Sequence, residues 1–313
     1  MNLGFIIPNY PNERRVALLP EHIENFKENI FIERGFGNNL DISDVEYEKK
    51  GCKILSRKEI FDNCEAIFNL KLMQPQDYDF IREGQMIIGW THPTGSGRGF
   101  MENQANVKKL VIVDLDNIYP TIYYDNNKYS IDFIPKNFIR RNSVIAGYAS
   151  VFQALMAYGK MPDVNTKVAV LSPGNVSQGA YSFISKLGAD VRLFYRKTMN
   201  EFISEINDYD IIINGIEVDN SDKHIINKKD LERVKKGALI IDAAADAGNA
   251  IEGSRYTSID NPLYKEDRIY FYIVNNAPSL FYRNSSFEIS RSFSKHVYSR
   301  NLEDFYNVLK RGR

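Results

Sequence analysis

Lys167-Val-Ala-Val-Leu171 is a short apolar run rich in β-branched residues, and Ser172-Pro-Gly-Asn-Val-Ser-Gln-Gly179 follows it as a turn that opens a helix. The helical pattern continues from Ala180 to Leu187, Gly188 stops it, and Asp190-Val-Arg-Leu-Phe-Tyr195 reads as the next strand. This order is a βαβ unit, whose turn brings backbone N–H groups and a helix N-terminus against a pyrophosphate. The usual glycine pattern is G-x-G-x-x-G/A; here it stands as Ser172-x-Gly174-x-x-Ser177, which keeps only the glycine that lets the backbone approach the phosphates. An NAD site places an acid about 20 residues on, to hold the ribose 2′-hydroxyl. That place holds Tyr195-Arg-Lys-Thr198, and two cations suit a 2′-phosphate. The sequence therefore favours NADP, held by Ser172, Gly174, Asn175 and Val176 at the turn and by Arg196 and Lys197 at the strand end. A mere tight turn and a solvated strand end are the plainer alternatives.

Working outward, Asp210-Ile-Ile-Ile-Asn214, Ala238-Leu-Ile-Ile-Asp242 and Ile269 to Val274 read as further strands, with a helix expected over Lys228 to Lys236. Five strands with crossovers make a doubly wound sheet, with ligand at the strands' C-terminal ends. Towards the N-terminus, Ser143 to Met161 has the apolar spacing of a long helix, ended by Pro162, and is expected to be a hinge. Leu3 to Ile7, Phe31 to Glu33, Ala66 to Leu72, Gln85 to Thr91 and Leu110 to Leu115 read as buried strands. Pro20 is expected to open a helix, and Ser56-Arg-Lys-Glu59 is a capping box for another. Tyr119 to Pro135 reads as a loop or hairpin crossing between parts, and Ser285 to Leu309 as a helical tail packed on the first part. The expected fold is α/β with two doubly wound domains. A Rossmann-type NADP-binding domain over 144–275, with hinge helix 144–161, is inserted between the halves of a substrate domain, 1–143 and 276–313, leaving a cleft between the two.

Bulk properties set limits. With 313 residues, 43% hydrophobic and 26% charged, the chain has an ordinary globular composition. Forty basic and forty acidic residues cancel, so no global field recruits nucleic acid or an anionic membrane. Two cysteines are too few for a disulfide framework and suit a reducing, cytoplasmic setting. No apolar run reaches the length of a membrane span, and the four histidines have no metal-ligand spacing, so no metal is expected.

Three residues near strand ends of the first part could converge on a small anion: Arg15, Lys71 and His92. Arg15 could grip a carboxylate, Lys71 could neutralise it or polarise a carbonyl, and His92 titrates in the range for proton exchange. Arg15 has a plainer reading as a solvated or salt-bridged side chain and His92 as a structural one, whereas a lysine inside an apolar run is less easily dismissed, because burial without a partner is costly. Pro93-Thr-Gly-Ser-Gly-Arg-Gly99 beside His92 is either a ligand loop or a surface turn. In the second part, Asp242 and Asp246 flank Ala-Ala-Ala past a strand end, with Asp246 able to reach a nicotinamide. Asn214 and Asn276 are placed to hold a ribose or carboxamide, or are turn residues only.

Taken together, Glu13 to Pro20, Phe31-Ile-Glu-Arg-Gly-Phe-Gly37, Ile240 to Gly248, Glu252-Gly-Ser-Arg-Tyr-Thr257 and Asn276-Ala-Pro-Ser279 resemble the alanine dehydrogenase and transhydrogenase N-terminal superfamily over essentially the whole chain. Within it, Ile67 to Leu72, Gly84 to Pro93, Tyr195 to Met199 and Tyr209 to Glu217 most resemble the N(5)-(carboxyethyl)ornithine synthase family. The resemblance implies NADPH-dependent reductive condensation of pyruvate with the side-chain amine of ornithine, and of lysine, by a homotetramer. It implies Arg15 and Lys71 on the keto acid, His92 in proton transfer and Asp246 near the nicotinamide. Where that family would place a glycine, Ser172 stands. An alanine dehydrogenase using ammonia, a saccharopine-type enzyme and a non-catalytic NADP-binding protein are the alternatives.

Overall fold

The architecture was taken from a computed structural model that describes residues 1–116, 118–218 and 223–311. The chain divides into two compact units, Met1–Ile139 with Tyr282–Arg313, and Arg140–Phe281.

The first unit is built on an eight-stranded sheet. Its strands are β1 (Asn2–Phe5), β2 (Asn29–Glu33), β3 (Lys53–Leu55), β4 (Ala66–Asn69), β5 (Met86–Gly89), β6 (Val111–Asp114), β7 (Thr121–Tyr124) and β8 (Asn127–Ser130). They lie in the order β3-β2-β1-β4-β5-β6-β7-β8. The first six are parallel and the last two antiparallel. Every residue of β4, β5 and β6 is buried, which is why these strands read as unbroken apolar runs without alternation. Chain order reverses between β1 and β4, so their C-terminal ends open a crevice there.

The C-terminal segment covers one face of this sheet. Phe293 and Tyr298 stack edge-on against Phe68 and Phe5, at 5.4 and 4.8 Å between ring centroids. Leu302, Phe305 and Leu309 extend the same core. Arg57 ties the chain leaving β1 to its neighbours. Its Nε and Nη2 donate to Asp77 at 2.7 and 2.8 Å, and its Nη1 donates to Glu33 and to the Ile7 carbonyl.

The second unit carries β9 (Lys167–Leu171), β10 (Asp190–Phe194), β11 (Ile211–Asn214), β12 (Leu239–Asp242), β13 (Tyr264–Glu266) and β14 (Ile269–Tyr272), in the order β10-β9-β11-β12-β14-β13. All pairs are parallel except β13 with β14. The reversal here falls between β9 and β11, at the turn that follows β9. The helix Asn175–Ile184 leaves that turn and crosses Arg140–Tyr158 at backbone contact. A Cβ on Gly147 would fall 1.8 Å from the Val176 carbonyl oxygen, and one on Gly179 would fall 1.9 Å from that of Val144. Two glycines thus fix where the helix N-terminus stands.

Several expected boundaries shift. Pro20 opens only a 3₁₀ turn, Pro20–His22, because Ile23 is extended and Asn25 takes a left-handed φ of 53°. The helix expected over 228–236 is one turn, Lys228–Leu231, since only Leu231 and Val234 offer apolar surface to support it. Residues 119–135 do not cross between parts. They form the β7–β8 hairpin on the first sheet, with Asp125 and Asn126 both left-handed (φ 49° and 59°) in its two-residue turn. The second sheet has a sixth, antiparallel strand, β13, where five were expected. The tail is two α-helices, Tyr282–Phe293 and Leu302–Arg311, joined by a π-helical stretch, Ser294–Tyr298.

Candidate active site

In the first unit, the segments that follow four adjacent parallel strands deliver charged groups to their C-terminal ends. The segment after β1 carries Glu13 and Arg15, β4 is followed by Lys71, β5 by His92 and β6 by Asp116. Arg15 is buried, 3% exposed, and Glu13 holds it. Arg15 Nε donates to Glu13 Oε1 at 2.7 Å and Nη2 to Oε2 at 2.6 Å. Burial would raise the Glu13 carboxyl, but the guanidinium overcomes this and holds it below its ordinary value. The Nε–Nη2 edge of the guanidinium is thereby committed to Glu13. The Trp90 ring lies beneath the guanidinium, its centroid 4.8 Å from Cζ.

Lys71 is 7% exposed. Its ammonium has no hydrogen-bond or salt-bridge partner among the described residues and lies 5.1 Å from the Tyr10 ring centroid and 6.0 Å from that of Trp90. Burial pulls its pKa down, and Asp116 offsets part of this.

His92 takes a left-handed φ of 45°, a strained conformation for a residue with a Cβ. Two contacts hold it there. Asp114 is fully buried, and its Oδ1 accepts from Thr91 N at 3.0 Å and from Thr91 Oγ1 at 2.9 Å, fixing the preceding residue. Gly95 and Gly97 N–H groups both donate to the His92 carbonyl. A Cβ on Gly97 would fall 1.9 Å from the Thr91 carbonyl oxygen, so the close approach this glycine permits is to the chain itself. His92 Nε2 meets Asp116 Oδ2 at 2.5 Å, with side chains 38% and 25% exposed. The Asp116 charge raises the His92 pKa against the opposing effect of burial. Burial raises Asp116, but His92, then Lys71 and Arg15, outweigh it and bring the carboxyl to about 2.

Glu13 and Asp116 were not singled out by the sequence analysis. Asp116 follows β6 at the offset Lys71 has from β4, and this recurrence was the available signal.

In the second unit, the turn after β9 begins at Ser172 with φ 85°, the left-handed conformation that a first glycine would supply. The serine side chain takes part in the turn, because its Oγ accepts from Gly174 N at 2.9 Å. Ser177 Oγ donates to the Leu171 carbonyl at 2.6 Å, binding the helix back onto the strand. Gly174 is the N-cap of the helix, with Asn175 and Val176 opening its first turn. A Cβ on Gly174 would sit 3.2 Å from Ser172 Oγ and 3.9 Å from the Gly215 carbonyl oxygen, filling a small cradle between the ends of β9 and β11. These residues fit a dinucleotide phosphate.

Within β10, Arg192 is locked by Glu201 and Glu205 at 2.5 and 2.6 Å. Arg196 and Lys197 are exposed and in no ion pair among the described residues. Asn214 is buried, and its amide is committed to its own loop: Nδ2 donates to Asp242 Oδ1 at 2.9 Å and to the Ile216 carbonyl, while Oδ1 accepts from Ile216 N. A cofactor contact there would have to displace one of these bonds. Asp242 is fully buried, with no partner for Oδ2 among the described residues, and burial raises its pKa to about 6. Asp246 is half-buried, with Oδ1 accepting from Asn249 Nδ2 at 2.7 Å. Asn276 is buried just past β14.

The description "Alanine dehydrogenase/PNT, N-terminal domain" matches residues 9–121, and "Alanine dehydrogenase/PNT, C-terminal domain" matches residues 185–311. The chain is 59% identical to the N(5)-(carboxyethyl)ornithine synthase of Clostridium botulinum, over 99% of this chain and 98% of that protein. It is 52% identical to the protein of the same name from Lactococcus lactis subsp. lactis, over 98% and 99%. Among solved structures, an L-alanine dehydrogenase superposes with a TM-score of 0.78 at 19% identity, covering 100% of this chain and 94% of that one, a likeness of fold. The chain belongs to the N(5)-(carboxyethyl)ornithine synthase family, whose two parts are the alanine dehydrogenase/PNT N-terminal and C-terminal domains.

Proposed function

We propose that this protein is an NADP-dependent oxidoreductase that joins pyruvate to the side-chain amine of ornithine, and of lysine, and reduces the resulting imine. The observation that carries the reading is the group formed by Arg15, Lys71 and the His92–Asp116 pair at four neighbouring strand ends, in a chain so similar to proteins named for that product.

The first unit is the substrate unit in this reading. A 2-oxo acid brings a carboxylate and a carbonyl. Arg15 takes the carboxylate. Lys71 stands at the carbonyl, its buried amine facing the bond that becomes the imine. His92, its pKa raised by the Asp116 charge, donates a proton to the carbonyl oxygen as it leaves as water. The second unit is the cofactor unit. Gly174, Asn175 and Val176 meet the pyrophosphate, Ser172 shapes their turn, and Arg196 and Lys197 meet the 2′-phosphate. Asn276 and Asp246 lie at strand ends suited to the ribose and the nicotinamide. When bound, the reduced nicotinamide supplies the hydride. We expect a homotetramer working in the cytoplasm.

The two cations after β10, exposed and in no ion pair among the described residues, support NADP over NAD, since such a pair matches a dianionic 2′-phosphate. The same pair, with no acid in its place, weighs against an NAD-linked alanine dehydrogenase. The test is product identification. Incubation with NADPH, pyruvate and ornithine is expected to yield N(5)-(1-carboxyethyl)ornithine by mass spectrometry. Formation of alanine alone from an ammonia-containing mixture would overturn the reading.

A further inference from the structure

We propose that Lys71 acts covalently: its amine condenses with the 2-oxo acid to a Schiff base, and the amino-acid amine then displaces it. This rests on the reading of the first unit as the 2-oxo acid site.

The surroundings of Lys71 suit a nucleophile better than a fixed cation. A lysine that serves as a charge normally reaches solvent or a carboxylate, because an unpaired buried ammonium is costly. Lys71 does neither, being 7% exposed with no hydrogen bond or salt bridge among the described residues. Its Nζ lies against the Tyr10 and Trp90 rings, and the guanidinium of Arg15 contributes a like charge to the same pocket. Desolvation beside another cation is the arrangement that favours a neutral, nucleophilic amine. The carboxylate that most offsets this, Asp116, is engaged by His92.

The chemistry balances within these residues. The neutral Lys71 amine adds to C2 of the 2-oxo acid, and one of its protons moves to the former carbonyl oxygen. The His92 imidazolium gives that oxygen a second proton, the C–O bond breaks, and water departs. The result is a protonated C=N bond to Lys71 and a neutral His92. The amino-acid side-chain amine then adds to C2. A proton moves from it to Lys71 Nζ, the C–Nζ bond breaks, and Lys71 leaves as a neutral amine. The new protonated imine is the species that accepts hydride, and His92, open to solvent on one side, is reprotonated. No oxidant or reductant enters before the hydride step. A protonated imine accepts an amine more readily than a ketone does, which is what the covalent detour provides.

The test is trapping. The protein is incubated with pyruvate and sodium cyanoborohydride, without amine or nucleotide, and its peptides are mapped by mass spectrometry. A carboxyethyl group at Lys71, approaching one per chain, is expected, with none at that peptide in Lys71→Arg. Trp90 is the sole tryptophan and touches both cations, so quenching of its fluorescence by pyruvate shows whether the variant still folds and binds. Absence of the adduct in the wild-type protein overturns the proposal, as does equal labelling of other lysines in the variant. NADPH oxidation with pyruvate and ornithine is measured in parallel. Turnover without an adduct removes only the covalent role, whereas absence of both removes the 2-oxo acid site as well.

Discussion

Asp116→Asn isolates the electrostatic design of the candidate site. Asp116 sits at about 2 against an ordinary 3.8, with His92 the leading cation holding it down. At about 1.4 kcal/mol per pH unit, that gap corresponds to about 2.5 kcal/mol. The two side chains are 38% and 25% exposed, and Lys71 and Arg15 share in the effect, so screening and division leave about 1 kcal/mol for the His92 pair. The variant should therefore lower the His92 pKa. The sign follows from the folded protein raising His92. The pair's stabilisation is complete below the unfolded histidine pKa and is lost as pH rises through the folded one. On the acid side, Asp116 contributes above its unfolded pKa and loses that contribution as pH falls towards about 2. Titration of the imidazole nitrogens by NMR provides the assay, with His92 assigned by its loss in His92→Gln. Burial pulls His22 and His296 down, so His92 should titrate above both in the wild-type protein. The basic limb of kcat/KM should move with it in the variant. An unchanged His92 titration would refute the reasoning, since it would mean the 2.5 Å contact does not set the proton's affinity.

Replacing Arg196 and Lys197 together with Ser should raise the KM for NADPH by ~10–100-fold and leave that for NADH nearly unchanged, since each removes a charge-assisted bond to phosphate. Equal losses with both nucleotides would remove the 2′-phosphate role. Ser172→Gly relieves the left-handed strain and frees the Gly174 N–H from Ser172 Oγ, so titration calorimetry should find tighter NADPH binding; weaker binding would mean that the serine hydroxyl itself serves the cofactor. Asp242 has its folded pKa raised to about 6, so the wild-type protein should lose stability as pH rises from about 4 to 6. Asp242→Asn should flatten that fall and be more stable at pH 8, by up to about 3 kcal/mol. Parallel denaturant melts at the two pH values measure this, and identical pH dependence in both proteins would contradict it.

The sheets were legible because parallel strands buried on both faces leave short apolar runs, and β4, β5, β6, β9, β11 and β12 all announce themselves that way. Arg15, Lys71 and His92 could be read as a group because each follows such a run. Two kinds of information were hidden. Strand edges paired antiparallel, such as β13 with the polar sequence Tyr-Lys-Glu, have no apolar run to show. Partnership is also invisible along the chain. Nothing in Glu13-Arg14-Arg15 says that Arg15 turns inward with Glu13 while Arg14 lies over the Tyr282 ring. Nor does Asp114-Leu-Asp116 say that one carboxyl braces Thr91 and the other meets His92, because the two serve different neighbours across one sheet. The left-handed φ at Ser172 was foreshadowed by the glycine pattern, but the bond from its own side chain to Gly174 was not.

The central claim is the choice of amine. The direct measurement is the initial rate of NADPH oxidation with pyruvate fixed and the amine varied among ammonia, ornithine, lysine and none. Turnover with ornithine, and with lysine, but not with ammonia is the predicted result. Turnover with ammonia alone, or none with any amine, would contradict the account.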